Sequence, residues 1–132
     1  MQWQFSSDAP IYTQLIQQVK AGIVTSKRSS TLHEILDLHG LSGLLDFTIG
    51  GEGVSAPKPD PEGLCAGIAA LGADRDKVLY CGDTTIDAAT AQSAGVDFAA
   101  VLNGTTPAGE FEGYPRVHIA PDLVELKAWL GM

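Results

Sequence analysis

Residues 78–95 read VLYCGDTTIDAATAQSAG, and the rest of the chain is best understood outward from them. An apolar run ends in Gly82-Asp83, and a second acid, Asp87, follows four residues on. Val78 to Cys81 predicts a buried strand, Gly82 permits a sharp exit, and the Ala-rich segment Thr84 to Ala94 predicts a close-packed helix. Both carboxylates then stand at the carboxyl end of a strand, where open α/β sheets bind ligands. Two acids there suit Mg²⁺, a hard cation that often takes one or two carboxylates together with phosphate oxygens. A purely structural alternative reads Asp83 as a helix N-cap and Asp87 as a first-turn acid favoured by the helix dipole.

Two further segments bear on that choice. Gly22-Ile23-Val24-Thr25-Ser26-Lys27 predicts a short apolar strand ending in hydroxyl residues, and Ala56-Pro57-Lys58-Pro59-Asp60-Pro61-Glu62 sets a lysine in a proline-stiffened loop ahead of a helix. Taken in order, apolar-Thr, then Lys-Pro, then Gly-Asp-x-x-x-Asp, these segments closely resemble the haloacid dehalogenase superfamily of phosphatases. VTSKR, GGEGVSAPKPDPEGL and LYCGDTTIDAATAQSAGV are most similar to its phosphoglycolate phosphatase and pyrophosphatase branch.

The resemblance implies a role for each motif residue. Thr25, with Ser26 beside it, would bind phosphoryl oxygens. Lys58 would neutralise charge on phosphate and nucleophile, and Asp83 with Asp87 would hold Mg²⁺ directly or through water. Phosphoryl transfer itself demands positioning and charge neutralisation around three equatorial oxygens, which a hydroxyl, an ammonium and a metal supply. Singly, Thr25 also reads as a cap for the helix opening near Ser29, and Lys58 as a solvated loop charge.

The same likeness implies an Asp-x-Asp motif at the end of the first strand, and no such motif precedes Thr25. Phe5-Ser6-Ser7-Asp8 comes nearest, with Ser6 at the nucleophile position and Asp8 at the acid/base position. A serine hydroxyl is a weak nucleophile without an activating base, and no partner for Ser6 is evident. The short span from Asp8 to Thr25 leaves no room for the flap and cap domain that such relatives insert, so any site is expected to be open to water. The reading is therefore a phosphatase core with phosphate and Mg²⁺ motifs and weak or absent hydrolysis of small phosphorylated molecules. A non-enzymatic interaction or regulatory protein is the alternative.

Residues 1–24, MQWQFSSDAPIYTQLIQQVKAGIV, are similar instead to the arm and first helix of GntR-type winged-helix regulators. Residues 1–20 are accordingly read as a segment of different origin, and residues 21–132 as the haloacid dehalogenase-like core. No recognition helix follows, and a net charge of −8 opposes binding to nucleic-acid phosphates.

At 132 residues and 45% apolar content the chain can bury one ordinary core. A pI near 4.6 disfavours anionic membranes as well as nucleic acid. No apolar stretch reaches the roughly 18–20 residues that span a bilayer, and MQWQFSSD lacks a signal-peptide pattern, so a cytoplasmic location is expected. Cys65 and Cys81, without C-x-x-C spacing, read as small buried hydrophobes. His33, His39 and His118 read as ordinary histidines, and Trp3, Tyr114 and Trp129 as packing residues.

Strands and helices alternate along the chain. Expected helices run from Pro10 to about Lys20, from Ser29 or Ser30 to Gly40 with Leu32, Ile35, Leu36 and Leu38 as the apolar stripe, and from Pro61 to Leu71. A last one is opened by Pro121 and carries Leu123, Leu126, Trp129 and Leu130. Phe47–Ile49, Phe98–Leu102 and Val117–Ala120 complete the strands. Such alternation implies an α/β fold with a parallel sheet covered on both faces, and the resemblance makes it a truncated three-layer Rossmann-like core without a cap domain. In that fold the nucleophile strand is central. Without it two interior edges stand unpaired, unless Gln2 to Phe5 fill the gap, and a homodimer built by strand pairing is the expected consequence.

Overall fold

Phe98-Ala99-Ala100-Val101 is an apolar run without alternation, as a strand covered on both faces should be. All four residues are buried. Phe98 and Ala100 turn to one side, where Ala88, Ala91 and Phe111 meet them. Ala99 and Val101 turn to the other, against Ala120, Leu123 and Leu126. The computed structural model describes residues 19–38, 40–41, 43–102 and 106–131, and within them this strand is the middle of a layered α/β fold.

The elements follow in the order β1 (Gly22–Val24), α1 (Ser29–Leu38), β2 (Phe47–Ile49), α2 (Glu62–Leu71), β3 (Leu79–Gly82), α3 (Thr85–Ala94), β4 (Asp97–Val101), β5 (His118–Ala120) and α4 (Leu123–Trp129), with single 3₁₀ turns at Gly51–Gly53, Arg75–Lys77 and Ala108–Phe111. All strand pairs are parallel. β1 pairs with β2, and β3, β4 and β5 form a separate ladder in that order. Among the described residues no backbone pairing joins β1 to β3. The expected α/β fold with a parallel sheet and helices on both faces is what the structure has.

Local chemistry sets most boundaries. Thr84 caps α3 by accepting the Asp87 N–H at 3.2 Å, and Gly95, at φ 74°, closes the helix in the left-handed region that a glycine enters without strain. Asp122 caps α4 by accepting the Glu125 N–H at 2.8 Å, so Asp122 rather than Pro121 opens that helix. α1 receives its cap from a distance: Glu52 Oε1 accepts the Ser29 N–H at 2.6 Å. The hydrogen bonds from Ser29 hold the Glu52 carboxyl below its usual range.

Parts of the expected apolar stripes turn outward. Leu38 is 80% exposed, because it lies well around the helix from Leu32 and Leu36, and Leu41 beyond the helix end fills the site instead. Trp129 and Leu130 are also exposed. Trp129 stacks on the His118 ring with centroids 4.4 Å apart, and the His118 Nε2 pairs with the Glu125 carboxylate at 2.7 Å. Cys65 and Cys81 are half-buried rather than enclosed. The helix expected over Pro10–Lys20 and the strand candidate Gln2–Phe5 lie outside the described residues, apart from Val19 and Lys20, neither of which is helical.

One ring orders the β1–β2 half. Phe47 is the register partner of Gly22, and a side chain on Gly22 would come within 2.1 Å of its ring, one on Gly67 of α2 within 2.5 Å. The ring thus occupies the room that two absent side chains leave.

Because Phe98 is buried between Tyr80 and Phe111 at centroid distances of 6.4 and 6.1 Å, Phe98→Ala is expected to lower stability by about 3–5 kcal/mol, read as a reduced urea midpoint at unchanged slope.

Candidate functional site

The carboxyl ends of β1 and β3 carry the motif residues. Thr25 follows β1 and is buried, its N–H donating to Ile49 O at 3.0 Å. Its hydroxyl oxygen accepts the Lys27 N–H at 3.2 Å, which leaves its own proton for an outside acceptor. Thr25 therefore ties its own turn together, and the helix cap on Ser29 comes from Glu52 instead.

Lys58 reaches the site from the loop ahead of α2. That loop is fixed by Glu62 in the first turn of α2, whose carboxylate accepts the Ser55 N–H at 2.7 Å and the Ala56 N–H at 3.2 Å. Asp60 in turn accepts the Glu62 N–H at 2.9 Å. Three donors of the Lys58 ammonium meet three acceptors: Asp87 Oδ1 at 2.7 Å, Tyr80 Oη at 3.1 Å and Val24 O at 3.3 Å. Lys58 is not a solvated loop charge, since its side chain is only 10% exposed and that of Asp87 only 3%.

Asp83 and Asp87 are both buried. Asp87 is fully engaged, with Thr84 Oγ1 donating to its Oδ2 at 2.9 Å and Tyr80 donating to its Oδ1 at 3.2 Å. A side chain on Gly82 would come within 2.4 Å of Asp87 Cβ, so the absence of one lets the helix residue lie against the strand end. Asp83 is not the N-cap of α3, and its buried Oδ1 has no hydrogen-bond partner among the described residues. Burial, and then the negative charge of Asp87, push its carboxyl above the usual range. A buried acceptor left in this way requires an explanation, and an unplaced ion is one.

Thr25, Ser26, Arg28, Gly51, Pro57 and Lys58 are among the residues that line one cavity of about 330 Å³. Lys58 belongs both to this cavity and to the acid pair. Among the described residues no group of three or more His, Cys, Asp or Glu converges as a metal centre. Two carboxylates, one with an orphaned oxygen, still fit Mg²⁺, which completes its shell with water and phosphate. Asp83 is the member that fits direct contact, because both oxygens of Asp87 already have partners. Asp8, the remaining residue singled out from the sequence, lies outside the described residues, as does Ser6. Cys81 is no nucleophile, since burial pushes its thiol up to about 12.

Tyr80, Glu62 and Asp60 were not singled out from the sequence. An acid two residues ahead of Glu62, itself at the start of an apolar run, is a helix-start signal that would have exposed the last two. Nothing short of the three-dimensional contacts distinguishes Tyr80 from a core aromatic.

Residues 12–101 match the haloacid dehalogenase-like hydrolase family. A phosphoglycolate phosphatase of Cereibacter sphaeroides is 45% identical over 85 residues, which are 64% of this chain and 38% of that protein. The pyrophosphatase PpaX of Halalkalibacterium halodurans is 31% identical over 113 residues, covering 83% of this chain and 53% of its own. Among solved structures, one from Bacteroides fragilis described as a haloacid dehalogenase-like hydrolase superposes with a TM-score of 0.85 at 42% identity, covering 89% of this chain and 56% of that one. The chain thus spans well under half the length of the first curated relatives it matches. The family match opens at residue 12, inside the segment read as of separate origin, and the comparisons give the winged-helix likeness no support.

An ionised Asp83 beside Asp87 is destabilising while nothing neutralises it. In chelator at neutral pH, Asp83→Asn is expected to raise stability by about 1 kcal/mol, or roughly 3–5 °C in melting temperature. The gain should shrink as pH falls, because a carboxyl with a raised folded pKa loses its penalty once protonated. Melting curves across pH test both parts.

Proposed function

The chain belongs to the haloacid dehalogenase-like hydrolase family, and from that premise we propose that it binds a phosphate group beside Mg²⁺ and hydrolyses phosphomonoesters slowly or not at all. The observation that carries this reading is the buried Oδ1 of Asp83, which has no partner among the described residues, next to a Lys58–Asp87 pair whose lysine also borders the 330 Å³ cavity. The volume lies near the lower end of the range that holds small ligands.

Each residue has a task that its contacts permit. Thr25 donates its hydroxyl proton to a phosphoryl oxygen, with Ser26 beside it on the cavity wall. The Lys58 ammonium exchanges its longest contact, to Val24 O at 3.3 Å, for an anion oxygen while keeping Asp87. Asp83 would hold Mg²⁺ directly, and Asp87 through water. The ion, when bound, neutralises charge that accumulates on the transferring phosphoryl oxygens.

The side chains ahead of Thr25 support a reading of weak turnover. The attacking carboxylate of the family has no counterpart ahead of Thr25, where Asp8 is the only acid. Relatives named for phosphoglycolate and pyrophosphate suggest a small phosphorylated substrate, and phosphoglycolate is the first to assay. An interaction or regulatory role would take over if the cavity held no anion.

Thermal shift decides the matter. Mg²⁺ with inorganic phosphate is expected to raise the melting temperature of the wild type by several degrees at a hundredfold excess over Kd, equivalent to about 2.7 kcal/mol. Asp83→Asn should remove the Mg²⁺ dependence, and Thr25→Val should weaken phosphate about tenfold. A wild type that shifts with neither ligand would end this reading.

A further inference from the structure

Tyr80 stands where the core meets the site. Its ring packs on the clusters formed by Phe98, Ala88 and Ala91 on one hand and Leu64, Ile68 and Ala94 on the other. The centroid lies 6.4 Å from that of Phe98. From this anchorage its hydroxyl reaches two charged groups at once, accepting from Lys58 Nζ at 3.1 Å and donating to Asp87 Oδ1 at 3.2 Å. Lys58 and Asp87 are themselves 2.7 Å apart, so the three polar atoms close a triangle.

We propose that Tyr80 is a positioning residue, which through its hydroxyl fixes the Lys58 ammonium at the cavity wall and so sets the affinity for the phosphate group. This rests on the anion-binding reading given above. The geometry supplies the reason. Lys58 sits on a loop at the end of a flexible stem, and a lysine ammonium is a point charge with no preferred planar fit to its partner. Once the Val24 O contact is given over to the anion, the ion pair with Asp87 alone would leave the ammonium free to swing about it. A second contact from a phenol oxygen held by a packed ring removes that freedom, and the ammonium also lies 5.8 Å from the ring centroid. Preorganised charge costs no reordering when the anion arrives.

The hydroxyl has a fixed sense of donation. Burial and the neighbouring Asp87 push the Tyr80 phenol far above its ordinary range, so it remains protonated and neither gives up nor takes a proton. Its single proton goes to Asp87, and its lone pair remains for Lys58. Tyr80 thus acts through Lys58 and does not itself touch the reacting group.

Tyr80→Phe keeps the ring and deletes the contact. Calorimetric titration of the full chain with inorganic phosphate in saturating Mg²⁺ is expected to give a Kd about five- to tenfold above wild type. In a Lys58→Met/Asp87→Asn background, which removes both charges together, adding Tyr80→Phe should change the residual affinity by less than twofold. The Lys58 ammonium resonance in ¹⁵N spectra, protected in the wild type, should broaden away in Tyr80→Phe. Three results would overturn the inference while leaving phosphate binding intact: unchanged Kd in Tyr80→Phe, an equal loss in both backgrounds, or a retained Lys58 signal. Absence of phosphate binding by the wild type would instead overturn the anion-binding reading, and this inference with it.

Discussion

A buried ammonium holds together what the backbone does not. β1–β2 and β3–β4–β5 are separate ladders, and Lys58 spans their carboxyl ends by meeting Val24 O on one side and Asp87 with Tyr80 on the other. A charge so far out of water is tolerable only with its donors satisfied, and this one has three acceptors for three donors. Nearly every other feature of the site serves that arrangement. Glu62 and Asp60 order the loop that delivers the lysine, Thr84 orients the acid that receives it, and the absence of a side chain at Gly82 allows the acid to approach.

The balance of charge is uneven, and that unevenness points outward. Asp87 is neutralised within the protein, whereas Asp83, four residues earlier and equally buried, keeps an oxygen with no partner among the described residues. A site made only to be stable would have an amide or an apolar residue there. Functional sites are where proteins retain such locally unfavourable groups.

Periodicity carried the fold far where short strand segments stand between turn residues. The run through Phe98 to Val101 is a continuous, fully buried apolar segment, and it and the half-buried Phe47–Ile49 emerge as parallel strands near the expected limits. Helix faces were harder to read where a segment was short. Leu38 and Trp129 fit an apolar stripe by composition but fall beyond its angular width, and one ends in solvent while the other stacks on a histidine ring. At the site, Thr25, Ser26 and Lys58 were legible as motif residues, and they do border a common cavity. What spacing could not express was the partnership between them: that Asp87 takes the shortest contact of Lys58, and that a strand tyrosine joins the polar triangle. The contacts of Lys58 connect residues 22 to 34 positions apart in sequence, and no local pattern encodes them.

The Phe47 ring gives the smaller ladder its own rule. Its neighbours Gly22 and Gly67 belong to different elements, one a strand and one a helix, yet each is denied a methyl by the same six carbons. Volume is therefore conserved across three positions rather than at any single one. Trimming the aromatic would open room for alanine at either glycine, and enlarging a glycine would oblige the aromatic to shrink, so tolerance at these sites is reciprocal and drift at one is steered by the other two.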